Sequence, residues 1–195
     1  MTRSPWNHNM HYHHVVLEAV PADCRRALDA GCGEGALARL LAQRSREVVA
    51  IDIDPAAVAR AASGPGTHVS FRQGDVLTLD LGDESFDFVA AVALLHHLPL
   101  KPALARFRSL LKPGGVLAII GLYRLRSPTD YAVAAAALPA SAWLRLQRRY
   151  VVDSAPLREP AQTLREVRTA CDAMLPGARF RRHLLFRYSV VWRKP

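Results

Sequence analysis

"LDAGCGEGA", residues 28–36, decides how the rest of the chain is read. A short apolar run ends in an acid, and glycines then alternate with other residues before a helical pattern begins. Glycine at that spacing permits a tight turn and lets backbone approach a ligand that a Cβ would push away. Gly31, Gly33 and Ala36 formally satisfy G-x-G-x-x-G/A, which seats a dinucleotide pyrophosphate on a helix N-terminus. Glu34 argues against that ligand, because a carboxylate inside the loop repels the phosphates such a site attracts.

Outward from this turn, apolar runs alternate with helical patterns. "RRALDA" (25–30), "EVVAID" (47–52), "THVSFRQ" (67–73), "FDFVAAVALL" (86–95) and "GGVLAIIGLY" (114–123) read as strands. "GALARLLAQRS" (35–45), "PAAVARAAS" (55–63) and "KPALARFRSLL" (101–111) read as helices, with Pro55 in a first turn. Strands apolar on both sides are those of a parallel sheet covered on both faces. After Tyr123 the rhythm changes: residues 127–150 and 158–174 look helical, broken by "DSAPLREP" (153–160). "ARFRRHLLFRYSVVWRKP" (178–195) reads as two strands too close together for a parallel crossover, hence antiparallel. The expectation is a Rossmann-like, doubly wound α/β fold: a mostly parallel seven-stranded sheet with helices on both faces and an antiparallel C-terminal strand.

Length and composition fit one domain with a full core: 195 residues, half of them hydrophobic, with a mean hydropathy of +0.03. The longest apolar stretch, "YAVAAAALPA" (131–140), is too short to span a bilayer and contains Pro139. The N-terminus lacks the apolar core of a signal peptide. Cys24, Cys32 and Cys171 are odd in number and widely spaced, as reduced thiols are. These features predict a cytoplasmic protein with no membrane partner; length and charge leave both a monomer and a homodimer open. The net charge of +9 is uneven: residues 1–120 carry 12 Lys+Arg and 12 Asp+Glu, and residues 121–195 carry 14 and 5. Arg outnumbers Lys 23 to 3, which coding bias alone would produce, so the basic part reads first as a solvated surface. Its functional reading is attraction of an anionic substrate or nucleic acid.

Asp29, Glu34, Asp52 and Asp75 fall at or just after strand ends on one edge of the expected sheet, where open α/β sheets bind ligands. Acids with almost no base nearby suit a nucleoside with cationic groups and no phosphate. S-adenosylmethionine, with its sulfonium and ammonium, is one. Here the chain resembles the class I S-adenosylmethionine-dependent methyltransferases, in particular their small-molecule branch related to ubiquinone and menaquinone biosynthesis enzymes. The resemblance covers residues 25–123, with a looser match at the C-terminus. "ALDAGCGEG" is similar to the family's first motif, D-x-G-x-G-x-G; "VVAIDIDPAAV" to its second-strand motif; "FRQGDVLTL" to the motif that meets adenine. "FDFVAAVALLHHL" and "LLKPGGVLAII" match the fourth-strand and fifth-strand motifs.

The resemblance implies S-adenosyl-L-methionine as cofactor, S-adenosyl-L-homocysteine as product, and Asp29, Gly31, Cys32, Gly33, Asp52, Ile53, Asp75 and Val76 as cofactor contacts. Asp52 would accept from the ribose diol and Asp75 from the adenine amine, with Val76 beside the ring. Cys32 reads as packing, not as a nucleophile, and Asp29 as a support for the loop or a water-mediated contact to the amino end. The implied partition is an N-terminal lid (1–24), a cofactor core (25–123), a helical substrate-side insertion (124–175) and a C-terminal strand pair (176–195).

Methyl transfer from a sulfonium is an in-line displacement that positioning alone can catalyse; a base is needed only if the acceptor must lose a proton. His96 and His97, after strand four, are the candidate bases, although "LHHL" recurs in relatives with different substrates. A metal is not expected: His13 and His14 are adjacent and diverge on a helix, and no acid or Cys cluster completes a site with His8 and His11. Trp6, His8, Tyr12 and His13 are candidates for the active-site mouth. Tyr123, Arg124 and Arg126, with Tyr131 and Trp143, are candidates for the acceptor pocket; the two arginines could hold a carboxylate or phosphate. The expected activity is methylation of an O, N or C atom of a small molecule. The alternatives are an RNA or protein methyltransferase using the basic part, and a protein that binds the cofactor without turnover. No N/D-P-P-Y/F motif and no separate RNA-binding module favour nucleic acid.

Overall fold

The computed structural model describes residues 5–64, 68–151 and 158–195. The start of the strand expected at 67 and most of the 153–160 break lie outside the described residues. In chain order the elements are β1 (Pro5–Trp6), α1 (His13–Glu18), β2 (Arg26–Ala30), α2 (Ala36–Leu41), β3 (Glu47–Asp52), α3 (Pro55–Ala62), β4 (Val69–Gln73) and β5 (Phe86–Val92). Then follow α4 (Leu100–Leu110), β6 (Leu111–Leu122), α5 (Pro128–Gln147), β7 (Arg149–Tyr150), α6 (Leu164–Met174), β8 (Arg179–Arg182) and β9 (Arg187–Arg193).

Seven strands form one sheet in the order β4-β3-β2-β5-β6-β9-β8. From β4 through β6 every pairing is parallel, whereas β9 runs antiparallel to both β6 and β8. The chain winds outward from β2 in both directions, so the carboxyl ends of β2 and β5 flank the point where strand order reverses. A crevice opens at such a point. One apolar layer, with Leu28, Val49, Phe107 and Tyr188, fills one face. The other, with Trp6, Val16, Leu37 and Phe88, fills the opposite face.

Local chemistry sets the element ends. The Asp54 carboxylate accepts the Ala56 amide and Pro55 occupies the first turn, which starts α3. Reciprocal side-chain caps start α5 at Ser127 and Asp130 and α6 at Thr163 and Glu166. The second helix therefore begins at 164 instead of 158. β5 stops at Val92 instead of 95: Ala93 takes φ +54°, and Leu95–His97 make a 3-10 turn. β6 starts at Leu111, straight out of α4, with a register irregularity between Phe86 and Phe88. β1 and β7 pair in parallel as a small second sheet, tying the N-terminal segment to the end of α5.

Candidate active site

A cleft of about 980 Å³ opens at the carboxyl edge over β2, β3 and β5. Its base is the glycine turn. The amides of Gly31 and Cys32 donate to the Ile51 carbonyl at 2.8 and 2.9 Å, which locks the turn to β3. The Gly33 amide donates to Asp52 Oδ2 at 2.8 Å, and the Asp54 amide to Asp52 Oδ1 at 3.0 Å. Each oxygen thus carries one backbone donor and keeps a second lone pair, enough to accept from a vicinal diol. Asp75 accepts the Leu77 amide at 2.9 Å through Oδ1, as a turn residue, and lines the same cleft. Val76 is buried beside it, while Ile53 is 69% exposed yet also lines the cleft.

Asp29 is 1% exposed, and its Oδ2 lacks a hydrogen-bond partner among the described residues. Burial, reinforced by the charge of Asp52, pushes its carboxyl up to about 7. A cation in the cleft would relieve both features, since an opposite charge favours the ionised acid. Cys32 is a buried thiol whose Sγ donates to the Gly33 carbonyl at 3.6 Å, and burial pushes its ionisation far above the ordinary thiol range. It is not an activated nucleophile. Glu34 behaves differently from its sequence reading: its carboxylate pairs with Arg60 at 3.0 Å. The negative character of the turn therefore rests on Asp52 more than on Glu34.

The two histidines part company. His97 lines the cleft, and burial together with Arg158 lowers its pKa below 6.5. His96 is buried, is not among the cleft residues, and burial and His97 push it down to about 4. Its Nδ1 has no partner among the described residues, and its ring centroid lies 4.0 Å from that of His97.

Of the residues expected at the mouth and in the acceptor pocket, the structure brings His13 to the cleft. Trp6 is 1% exposed in one apolar layer, and its ring meets those of His8 and Tyr150. The Tyr12 hydroxyl donates to the Leu184 carbonyl at 2.7 Å, and the His8 ring bonds Ser141 of α5 at 3.0 Å. Tyr123 is buried and its hydroxyl accepts from Arg182 Nε at 3.0 Å. Arg124 is exposed, and Arg126 lines a separate groove at the starts of α5 and α6. Tyr131 and Trp143 face solvent at 59% and 57% exposure. The wall instead uses Asn7, Asn9, Met10 and Val151, which the sequence reading passes over. Asn9 is held by Arg187, whose Nη2 donates to its Oδ1 at 2.7 Å. Nothing in the spacing of "WNHNM" distinguishes these residues; the chain's return across the sheet edge does. Among the described residues no group of three His, Cys, Asp or Glu is arranged to hold a metal.

Comparison with known proteins agrees with this geometry. Residues 28–119 match the methyltransferase domain family. An uncharacterized methyltransferase of Mycobacterium tuberculosis is 37% identical over 98% of this chain and 98% of its own length. A ubiquinone biosynthesis O-methyltransferase of Xanthomonas euvesicatoria pv. vesicatoria is 40% identical over 116 residues, 56% of this chain and 47% of that protein. Among solved structures, a Pyrococcus horikoshii protein superposes with a TM-score of 0.69 at 19% identity, covering 94% of this chain and 88% of that one. The N-methyltransferase NodS of Bradyrhizobium japonicum, solved with S-adenosyl-L-homocysteine, gives 0.63 at 18%, covering 95% and 87%. The chain belongs to the class I S-adenosylmethionine-dependent methyltransferases. S-adenosylmethionine is its cofactor, and the residues of the cleft fit it: an orphaned buried carboxylate oxygen, a diol acceptor and an open glycine turn.

Proposed function

We propose that the enzyme methylates an O, N or C atom of a small molecule held between the glycine turn and the N-terminal segment. One observation carries this reading. Among the described cleft residues the sole Lys or Arg is Arg39, and its guanidinium is bound to the Glu34 and Ala61 carbonyls. A nucleic-acid site needs cations for phosphates. This cleft offers carboxylates, amides, Met10 and two imidazoles.

In this reading Asp52 holds the ribose hydroxyls, Asp75 the adenine amine, and Ile53 and Val76 the ring faces. Asp29 holds the ammonium end, directly or through water, and Gly31, Cys32 and Gly33 supply backbone along the methionine portion. The bound cofactor supplies a sulfonium-activated methyl group. The chain's own work is positioning: Asn7, Asn9, Met10 and His13 close over the turn, exclude water and hold the acceptor in line. His97, neutral at pH 7, can take a proton from an acceptor hydroxyl or amine at an imidazole nitrogen. Residues 1–24 act as the lid, 25–123 as the cofactor core, 124–175 as the substrate-side insertion and 176–195 as the closing strand pair. The described residues contain no helix long and apolar enough to cross a membrane, and we place the enzyme in the cytoplasm as a monomer or homodimer.

The test is incubation with methyl-labelled S-adenosylmethionine and cell extract fractionated into small molecules, RNA and protein. Label in the small-molecule fraction supports the reading. Label confined to RNA or protein overturns it, as does tight cofactor binding with no transfer to any fraction.

A further inference from the structure

The outer face of α5 has no use in the site described above. Tyr131, Leu138, Trp143 and Leu146 project from it at 59, 63, 57 and 70% exposure. Ala132, Ala135, Ala136, Pro139 and Ala142 fill the same face and are exposed too. A monomer in water seldom leaves a whole helix face apolar without a partner. The one acid on α5, Asp130, is turned into the helix cap and paired with Arg182 at 3.0 Å. At the other end Arg145, Arg148 and Arg149 are exposed, and among the described residues none of the three has a carboxylate partner. Trp and Tyr beside Leu, with arginines at one end, are residue types that settle at a membrane–water interface.

Charge selects the occupant: Arg145, Arg148 and Arg149 gather at the C-terminal end of α5, where the helix itself carries no acid. A second copy of the chain would bring like charge against like charge, whereas an anionic lipid surface would meet its complement. The inner side of α5 also leads to the cleft: Ser141 bonds His8, and β7 pairs with β1 directly before Asn7 and Asn9.

We propose that α5 docks the enzyme on an anionic lipid bilayer surface, which would present the cleft with a lipophilic acceptor. The acceptor clause rests on the small-molecule reading above; the docking itself does not, and it is measured without any methylation.

Trp143 is a built-in reporter, because the other two tryptophans, Trp6 and Trp192, are 1% and 2% exposed. The full chain is titrated with vesicles of phosphatidylcholine alone and of phosphatidylcholine mixed with phosphatidylglycerol, following tryptophan emission and vesicle flotation. Expected are a blue shift and co-flotation with the anionic vesicles, both weakened by salt. The double change Leu138→Glu, Leu146→Glu should reduce vesicle affinity by roughly tenfold or more, with S-adenosylmethionine affinity unchanged as proof of folding. Arg148→Glu with Arg149→Glu should remove the preference for anionic lipid. Emission and flotation indifferent to both vesicles would overturn the proposal. So would self-association that the same glutamates abolish while vesicle binding is absent, because the occupant would then be a second copy.

Discussion

The amide of Gly33 and the carboxylate of Asp52 meet at 2.8 Å, so the turn after β2 and the acid ending β3 are one mechanical unit. A change at either end reaches both the loop and the cleft that it lines. Asp52→Ala is expected to weaken S-adenosylmethionine binding by about 1.5–3 kcal/mol, the range for lost charge-assisted hydrogen bonds. Titration calorimetry that finds wild-type affinity in this variant removes Asp52 from the cofactor contacts.

Gly31 and Gly33 should separate stability from binding. Both have positive φ, +72° and +51°, so alanine at either costs about 1–2 kcal/mol of backbone strain. A Cβ on Gly31 would also press on Leu94 at 3.0 Å, whereas one on Gly33 would meet nothing within 4 Å and enter open cleft space. Gly31→Ala is therefore expected to lose more stability in denaturant unfolding, and Gly33→Ala to lose more cofactor affinity relative to its stability loss. The reverse ranking would show that the cofactor does not run along Gly33.

Asp29 makes stability and binding depend on pH in opposite senses. Its folded pKa, about 7, lies above the ordinary 3.8. Between those values the folded state keeps a proton that the unfolded chain has lost, so stability falls as pH rises through the window. Asp29→Asn should flatten that slope in melts from pH 4 to 8. A cationic cofactor favours the ionised acid, so its binding near pH 6 should release a proton and tighten as pH rises. Calorimetry in buffers of different ionisation enthalpy reads the proton directly; none released would mean that Asp29 does not sense the ligand's charge.

For His97 the expected signature is kinetic. Its lowered pKa leaves the ring neutral at pH 7, and the rate should fall on the acid side, below pH 6.5. His97→Ala should slow turnover and abolish that limb with cofactor affinity intact. His96→Gln should leave the limb in place, since His96 is buried away from the cleft. A His97 variant as fast as wild type at every pH ends the case for a base.

Much of this is legible in the sequence alone. The order of strands and helices from 25 to 123 follows from continuous apolar runs, and the acids that gather on one edge sit at their ends. Asp29, Asp52 and Asp75 reach the cleft because parallel strands deliver all their carboxyl ends to one side. The N-terminal and inserted segments were not legible in this way. Trp6, Tyr12 and Tyr123 are buried by contacts with residues far along the chain, and Asn7, Asn9 and Met10 reach the cleft because β1 pairs with β7. No local period encodes such contacts. The face of α5 is hidden from the sequence for a related reason: tertiary packing alone decides that Ala137 is buried while Leu138 is left out.

The pairing of Pro5 with Arg149 and of Trp6 with Tyr150 also orders events in time. A ribosome delivers β1 through β6 before residue 149 exists, so the glycine turn is made early, and Asn7, Asn9 and Met10 emerge well before the strand that fixes β1. Closing so long a loop follows the folding of the local α/β units instead of preceding it. A nascent chain halted between the end of β6 and residue 149 therefore owns the glycine turn but lacks the pairing that ties down its own N-terminal segment.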